Sequence, residues 1–396
     1  MKTKITISVF VALLLAFFVI GVVMPEDEQS AVNENRTLKE MPELTSQTLF
    51  SGTFSREFEE YLADNVGMRS KFTAFSSKVN EFKGIKTNFG NIVSVKKDLG
   101  AGGESNESSR LLVLGDRIME IYKDKPESGA AYAAAVNKYA DTFSGKANVY
   151  SMLIPTQIEF AADIYAKSSD SQKTAIDRIY GAISDDVVKV NAYDVMKENA
   201  GDYIYFRTDH HWTQRGAYLA YSKFAEAAGH TPVELSSLKL KTADGFLGFL
   251  YNQANDTSLA NKPDTIEWFE GDTNYAVKAS TMENGKVVEY NSRIYVAPEG
   301  TPKYSVFMGG DHSLAEINTD VPNGKTVLVI KDSYANALLP LLTNNYTTVL
   351  AVDPRSYYGT VDELVEKYDV DDILIMNYIF TTTFDDFIEK IDTICR

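Results

Sequence analysis

The sequence predicts an α/β domain, a parallel sheet covered by helices on both faces, and three observations carry that expectation. From Arg110 onward, short apolar runs alternate with helical patterns at the spacing of strand–helix–strand crossovers. One run, Thr326–Ile330 (TVLVI), is apolar and β-branched almost throughout, as a strand buried on both faces must be. Directly after it, Lys331-Asp332-Ser333 puts a hydroxyl at the carboxyl end of that strand, the edge at which open α/β sheets bind ligands.

Taken in order, the chain opens with Lys2 and Lys4 and then runs apolar from Ile5 to Met24, about long enough to cross a bilayer as a helix. Positive charge before the run and Glu26, Asp27 and Glu28 after it put the N-terminus in the cytoplasm and the rest outside. No A-x-A cleavage site or lipobox cysteine follows, so residues 1–24 read as an uncleaved signal anchor. The chain is then a single-pass protein of the cell membrane with an extracytoplasmic domain, or a secreted one if the segment is removed. Residues 25–109 read as a membrane-proximal helical region and linker. Phe50–Ala63 and Ser70–Phe82 carry amphipathic stripes (Phe54, Phe58, Tyr61 and Leu62; Phe72, Phe75 and Val79), and Gly100–Ser109 (GAGGESNESS) reads as a flexible connector.

The main domain, residues 110–396, begins with a strand at Leu111–Leu114. A helix at Ser128–Phe143, a strand at Asn148–Pro155, a helix at Ser171–Ile183 and a strand at Val187–Val190 follow. The next helix has Thr213 as N-cap and Gly229 as stop, with Ala217, Ala220, Tyr221, Phe224 and Ala228 at helical spacing. From about residue 231 to about residue 323 the rhythm breaks into a β-rich insertion, with strand-like runs at Asp264–Phe269, Val287–Tyr290 and Tyr304–Met308. Gly309–Ser313 (GGDHS) resembles a catalytic turn, but it does not lead from a strong buried strand into a helix and is set aside. After the TVLVI strand come a helix running to about Leu342 and distorted by Pro340, a strand at Thr347–Val352 and a helix at Val361–Tyr368. A strand at Ile373–Met376 and a helix at Phe384–Ile391 close the chain.

Composition excludes several functions. A net charge of −16 argues against nucleic acid and against anionic lipid surfaces, and it tolerates neutral sugars. The 23 Tyr and 21 Phe suit aromatic-lined carbohydrate clefts, although core packing uses the same residues. The lone Cys395 forms no intramolecular disulfide and no CxxC site.

The chemistry concentrates in Arg207–Gly216 (RTDHHWTQRG), which holds two of the four histidines and one of the two tryptophans. Asp209 and His211 lie two positions apart, so in extended backbone the carboxylate and imidazole point the same way and His210 points the other. With Ser333 they make a Ser-His-Asp set. His211 would take the serine proton and Asp209 would hold the imidazole tautomer. An N-cap role explains a serine at that turn equally well. The backbone N–H groups opening the helix after Ser333 can face an oxyanion. Asn377 either donates its amide to that oxyanion or only shapes a turn, and Arg355 either binds substrate oxygens or pairs with a rim carboxylate. Trp212 either stacks on a sugar or packs beneath the loop. A metal site built from Asp209, His210, His211 and His312 is the chemical rival, but no HExxH-like helical pair supports it, nor does any glycine-rich phosphate loop appear. No metal and no cofactor is expected.

In Asp209-His210-His211-Trp212 and Val329-Ile330-Lys331-Asp332-Ser333-Tyr334 the sequence resembles the DHHW family of bacterial extracytoplasmic proteins. That family is related to the alginate O-acetyltransferase-like proteins of the SGNH hydrolase superfamily. The resemblance spans most of the chain, from Glu34-Asn35-Arg36 through Phe58–Arg69 to Asp353-Pro354-Arg355. It implies an SGNH-hydrolase-like, flavodoxin-like sheet with a circularly permuted catalytic order, Asp209 and His211 preceding Ser333. It implies acetyl transfer to, or hydrolysis from, an exported polysaccharide, beside a membrane-bound O-acyltransferase that supplies the acetyl group. Asn377 lies outside a clear Gly-x-Asn block; with Arg355, Trp212 and Tyr334 it completes the oxyanion and substrate-binding candidates. The alternative is a non-catalytic glycan-binding or assembly component of a polysaccharide acetylation system.

Overall fold

A strand covered on both faces must be apolar at every position, and the strands that meet this condition are the ones that line up in the middle of the sheet. The computed structural model describes residues 10, 41–45, 48–49, 51–65, 91–98, 104–161, 168–254, 259–260, 262–283, 285–296, 300 and 303–396. The chain divides into two compact units, Met1–Phe89 with Tyr251–Asn261, and Gly90–Leu250 with Lys262–Arg396. In the first, helix α1 (Thr53–Asn65) stacks Phe54 on Phe58, with ring centroids 5.6 Å apart, and Phe58 on Tyr61, at 6.2 Å. These i,i+4 and i,i+3 pairs are the stripe expected there.

The second unit begins with an antiparallel sheet of β1 (Asn91–Asp98), β2 (Glu104–Leu114) and β3 (Arg117–Glu120). Then come α2 (Pro126–Thr142), β4 (Asn148–Ile154), α3 (Gln172–Ala182), β5 (Val187–Lys189), α4 (Tyr193–Glu198) and α5 (Gln214–Ala227). After α5 the chain forms β6 (Lys239–Phe246), α6 (Phe249–Ala254), β7 (Asp264–Glu270), β8 (Tyr275–Glu283), β9 (Lys286–Ser292) and β10 (Leu314–Thr319). It closes with β11 (Thr326–Lys331), α7 (Leu339–Leu342), β12 (Thr348–Val352), α8 (Val361–Tyr368), β13 (Asp372–Tyr378) and α9 (Asp385–Ile394).

The eight-stranded sheet runs β5-β4-β13-β11-β12-β10-β8-β9. Its strands from β5 to β12 are parallel. Side chains alternate between two cores with the period of the pleat: Val327, Val329, Leu374 and Met376 enter one, Leu328, Ile330, Ile373 and Ile375 the other. Helix α5 closes the first face through Ala217, Ala220, Tyr221 and Phe224. Helices α2, α3, α8 and α9 close the second, through residues such as Tyr139, Ile179, Val365 and Ile391. Helix ends follow local chemistry. Thr360 and Glu363 form a capping box on α8. Gly229, at φ +76°, lets the N–H of His230 reach the Ala225 carbonyl at 2.8 Å and ends α5.

Several expectations change. The sheet is mixed rather than purely parallel, because the segment read as an insertion supplies β8, β9 and β10, which extend it antiparallel from β12. β8 and β10 escaped notice because each buries one face only and mixes polar residues among its buried ones. Tyr304–Met308 is not a strand; Tyr304–Val306 forms a 3-10 turn and Phe307 makes a single bridge to Tyr295. Residues 104–109 of the expected connector are paired strand, Ser109 lying opposite Val95; polar residues on a hairpin give no burial signal but still pair through backbone. After Ser333 the chain makes a 3-10 turn, Ser333–Ala337, before α7, and Pro340 sits in the first turn of α7, where its missing N–H is tolerated. The apolar run Ile5–Met24, apart from Phe10, and the helix expected at Ser70–Phe82 lie outside the described residues. Among the described residues no helix is long and apolar enough to cross a membrane.

Leu328 has no exposed surface and points into the second core. Leu328→Ala is expected to lower unfolding free energy by about 3 kcal/mol in chemical denaturation, whereas Val287→Ala, at a position 60% exposed on β9, changes it by less than about 0.5 kcal/mol.

Candidate active site

The loop from Arg207 to His211 is a bend, and one buried carboxylate shapes it. Asp264, at the start of β7 and without exposed surface, accepts from the N–H of Arg207 at 3.0 Å and of Thr208 at 2.9 Å. It also accepts from the Thr208 hydroxyl at 2.6 Å and the Tyr203 hydroxyl at 2.7 Å, and Arg207 Nε stands 3.1 Å away. At the tip, Asp209 Oδ1 accepts from the N–H of His211 at 3.0 Å, an Asx turn. Asp209 and His211 therefore face each other through a turn, not through the extended backbone expected. The same bend lays His210 against His211, ring centroids 3.8 Å apart, where extended geometry would have turned it away.

His211 Nδ1 lies 2.6 Å from Asp209 Oδ1, and its Nε2 lies 2.8 Å from Ser333 Oγ. The structure thus brings Asp209, His211 and Ser333 into one chain of contacts across 122 residues of sequence between the last two. Asp209 and His211 are buried and Ser333 is half-buried. Tyr304 stacks on the other face of His211, at 3.7 Å between ring centroids and 7° between planes, so the imidazole sits between two rings. Burial opposes ionisation of Asp209, but the imidazoles of His211 and His210 and the hydrogen bonds it accepts outweigh that and hold its carboxyl well below the usual range. Burial, helped by His211, pushes His210 below the ordinary imidazole value despite Asp209 nearby.

Behind Asp209 the chain comes unusually close. The N–H of Phe249 donates to Asp209 Oδ2 at 2.7 Å, and the N–H of Gly248 to the Thr208 hydroxyl at 3.0 Å. A Cβ on Gly248 would stand 2.3 Å from that of Asp209, so only glycine fits. Gly248, Phe249, Tyr304 and Asp264 were missed in the sequence; a glycine flanked by Leu247 and Phe249, or an acid opening a strand, carries no chemical signature of its own.

The serine's side is built on a second buried acid. Asp332 caps the turn at Ser333, accepting from the N–H of Tyr334 at 2.9 Å. Its other oxygen accepts from the N–H of Tyr378 at 2.9 Å, the Thr381 hydroxyl at 3.1 Å and the Asn377 amide at 3.3 Å. Burial pushes the Asp332 carboxyl up to about 6, against the pull of these donors and of Arg355. The N–H groups of Tyr334 and Ala335 are both committed to Asp332, so the amides expected to face an oxyanion are occupied, and Ser333's own N–H has no acceptor among the described residues.

The surrounding candidates fall elsewhere. Asn377 is wholly buried, accepts from the Tyr132 hydroxyl at 2.9 Å and donates to Asp332, so it braces the turn instead of donating to an oxyanion at the rim. Arg355 takes the carboxylate alternative, pairing with Asp353 and, at 3.0 Å, with Asp311. Buried Lys331 joins them, 2.9 Å from Asp311. Trp212 has no exposed surface and donates its indole N–H to the Tyr334 carbonyl at 2.8 Å, so it packs beneath the loop and stacks on no sugar. Tyr334 is equally buried, its hydroxyl on the His210 carbonyl. His312 accepts from or donates to Tyr290 at 2.7 Å and meets the Met308 carbonyl at 2.7 Å, away from the histidine loop. Ligand-type atoms of Asp209, His210 and His211 lie within 4.8 Å of one another, but a cation there would have to displace the Asp209–His211 hydrogen bond.

The profile of the DHHW protein family matches residues 95–352. The chain belongs to the DHHW family. Its structure is similar to that of a DHHW family protein from Eubacterium siraeum DSM 15702, at 27% identity and a TM-score of 0.65, covering 72% of this chain and 95% of that one. It also shares its fold with PatB1 of Bacillus cereus, at 19% identity, a TM-score of 0.60 and coverage of 70% and 99%. PatB1 with a sulfonyl adduct aligns at 18% identity and a TM-score of 0.59, over 70% and 96% of the two chains. No curated protein matches the sequence.

Two outcomes follow from the geometry. Gly248→Ala is expected to cost about 2 kcal/mol in denaturation, since the new methyl overlaps Asp209 in a closed site; an unchanged midpoint would show that the approach relaxes freely. Asp332 binds its proton more tightly when folded than unfolded, so its contribution to stability is full below the ordinary carboxylate pKa and is lost as pH rises through about 6. The stability of the native chain relative to Asp332→Asn should therefore fall between about pH 4 and about pH 7 in denaturation at each pH, and a constant difference would refute the raised carboxyl.

Proposed function

We propose that this chain is an extracytoplasmic serine-dependent O-acetyltransferase or acetylesterase acting on a cell-surface or exported polysaccharide. The observation that carries the reading is the continuous relay from Ser333 Oγ to His211 Nε2, at 2.8 Å, and from His211 Nδ1 to Asp209 Oδ1, at 2.6 Å. His211 Nε2 takes the serine proton as Oγ adds to the acetyl carbonyl carbon. The tetrahedral intermediate collapses, the donor alcohol leaves with the proton from His211, and Ser333 carries the acetyl group. An acceptor hydroxyl then gives its proton to His211 and attacks the ester, and Ser333 leaves with the proton returned. Asp209, ionised at neutral pH, fixes the tautomer and stabilises the imidazolium. Ser333's own N–H is the backbone donor open to the oxyanion.

Transferase and esterase share this acyl-enzyme and differ in whether a sugar hydroxyl or water accepts. The resemblance of Asp209–Trp212 and Val329–Tyr334 to the alginate O-acetyltransferase-like proteins supports the acetyl group and the glycan. The net charge of −16 favours a neutral polymer over a polyanion. In this reading the apolar run Ile5–Met24 holds the domain at the outer face of the cell membrane, beside a membrane-bound O-acyltransferase that delivers acetyl groups.

p-Nitrophenyl acetate is expected to be turned over by the native chain, and Ser333→Ala or His211→Ala to lower kcat by at least about 10³-fold with the fold retained. Intact-mass analysis after exposure to the ester should find one acetyl group, mapped to Ser333. Equal turnover by well-folded Ser333→Ala sinks the proposal.

A further inference from the structure

Two strands along from Ser333, at the same carboxyl edge of the sheet, lies a cleft of about 410 Å³ that the relay does not use. Ser333 follows β11 and Gln157 follows β4, with β13 between them, so the strands that lead to the two positions run two strand spacings apart, about 10 Å. Ligands of open α/β sheets collect along this edge, and the volume is in the range of small-molecule sites, about 300–1,000 Å³.

The walls have a mixed chemistry. Phe160, Tyr203 and Tyr205 supply aromatic surface, and Phe160 and Tyr203 are half-buried. Arg117 brings a guanidinium that meets only Asp116 among the described residues, at 3.8 Å, and its side chain is 41% exposed. Asp202 contributes an exposed carboxylate. Gln157 Oε1 is buried and has no hydrogen-bond partner among the described residues, a cost that a ligand hydroxyl would relieve after a small turn of the amide. Tyr205 joins this cleft to the relay. It bridges Trp212 across the hairpin whose tip carries Asp209 and His211, and its hydroxyl donates to the Pro155 carbonyl at 2.6 Å, just before Gln157.

Aromatic faces beside donors and acceptors of both signs suit a ring-shaped ligand rich in hydroxyls and without net charge. We infer that this cleft is a binding subsite for a neutral oligosaccharide, holding a stretch of glycan whose neighbouring sugar reaches Ser333. The inference rests on the glycan reading of the active site and adds to it where the chain grips its acceptor. Binding in the cleft needs no chemistry at Ser333, so the two claims fail separately.

The test is titration of the native chain with cellotetraose, mannotetraose and chitotetraose, read by isothermal calorimetry, with tetragalacturonate as the acidic comparison. Saturable binding of at least one neutral tetraose is expected, weakened about tenfold by Phe160→Ala and by Arg117→Ala, and unchanged by Val287→Ala at an exposed position of β9. Arg117 is exposed, so its variant keeps the test open should Phe160→Ala fail to fold. Binding of none of the neutral tetraoses overturns the inference, as does binding that ignores both cleft variants, or preference for tetragalacturonate. Loss of ester turnover in Ser333→Ala together with cleft-dependent binding by the native chain supports both claims; binding without any turnover in the native chain supports the cleft and sinks the acetyl chemistry.

Discussion

The buried carboxylate of Asp264 is the interaction on which the site depends. Five donors from Tyr203, Arg207 and Thr208 converge on its two oxygens, and these contacts turn the chain back at the loop that presents Asp209 and His211. A fully buried charge is tolerable only when hydrogen bonds replace the water it has lost, and each of these bonds also fixes a residue of the loop. A bend of five residues in a wholly different environment would not keep an imidazole within hydrogen-bond reach of a serine more than a hundred positions away.

The serine's side repeats the device with Asp332, which ties its own turn to the end of the neighbouring strand β13 through Tyr378, Thr381 and Asn377. Ser333 and His211 thus stand on separate elements, each pinned by an acid that faces inward. The ionic cluster of Lys331, Asp311, Asp353 and Arg355 adds a third set of charges behind the same turn. Rigid strands set the distances and buried acids set the angles, the arrangement that preorganised chemistry requires.

The parallel half of the sheet was legible because its strands are apolar on both faces: TVLVI at β11, and the runs that became β12 and β13, lie within a residue or two of where periodicity put them. Of the antiparallel half, β9 was read at Val287–Tyr290 but as part of an insertion, and β8 and β10 were not read at all, because each buries one face only and leaves no signal beyond weak alternation. Asp209, His211 and Ser333 were legible as residue types at a strand's end and a helix's start, and the structure brings them together. The residues around them were harder. Asn377, Trp212 and Tyr334 look like site residues by type, yet the fold buries all three as supports. Gly248 and Tyr304 touch Asp209 and His211 directly and give no local hint, since their role exists only once distant segments have met.

The stacking of His211 between His210 and Tyr304 has a consequence for motion. An imidazole gripped on both faces at under 4 Å cannot swing about its axis unless the plates on either side first part. Its two nitrogens therefore keep their separate addresses, Nδ1 toward the acid and Nε2 toward the hydroxyl, and a ring flip that exchanged them would first have to pry apart its two aromatic neighbours.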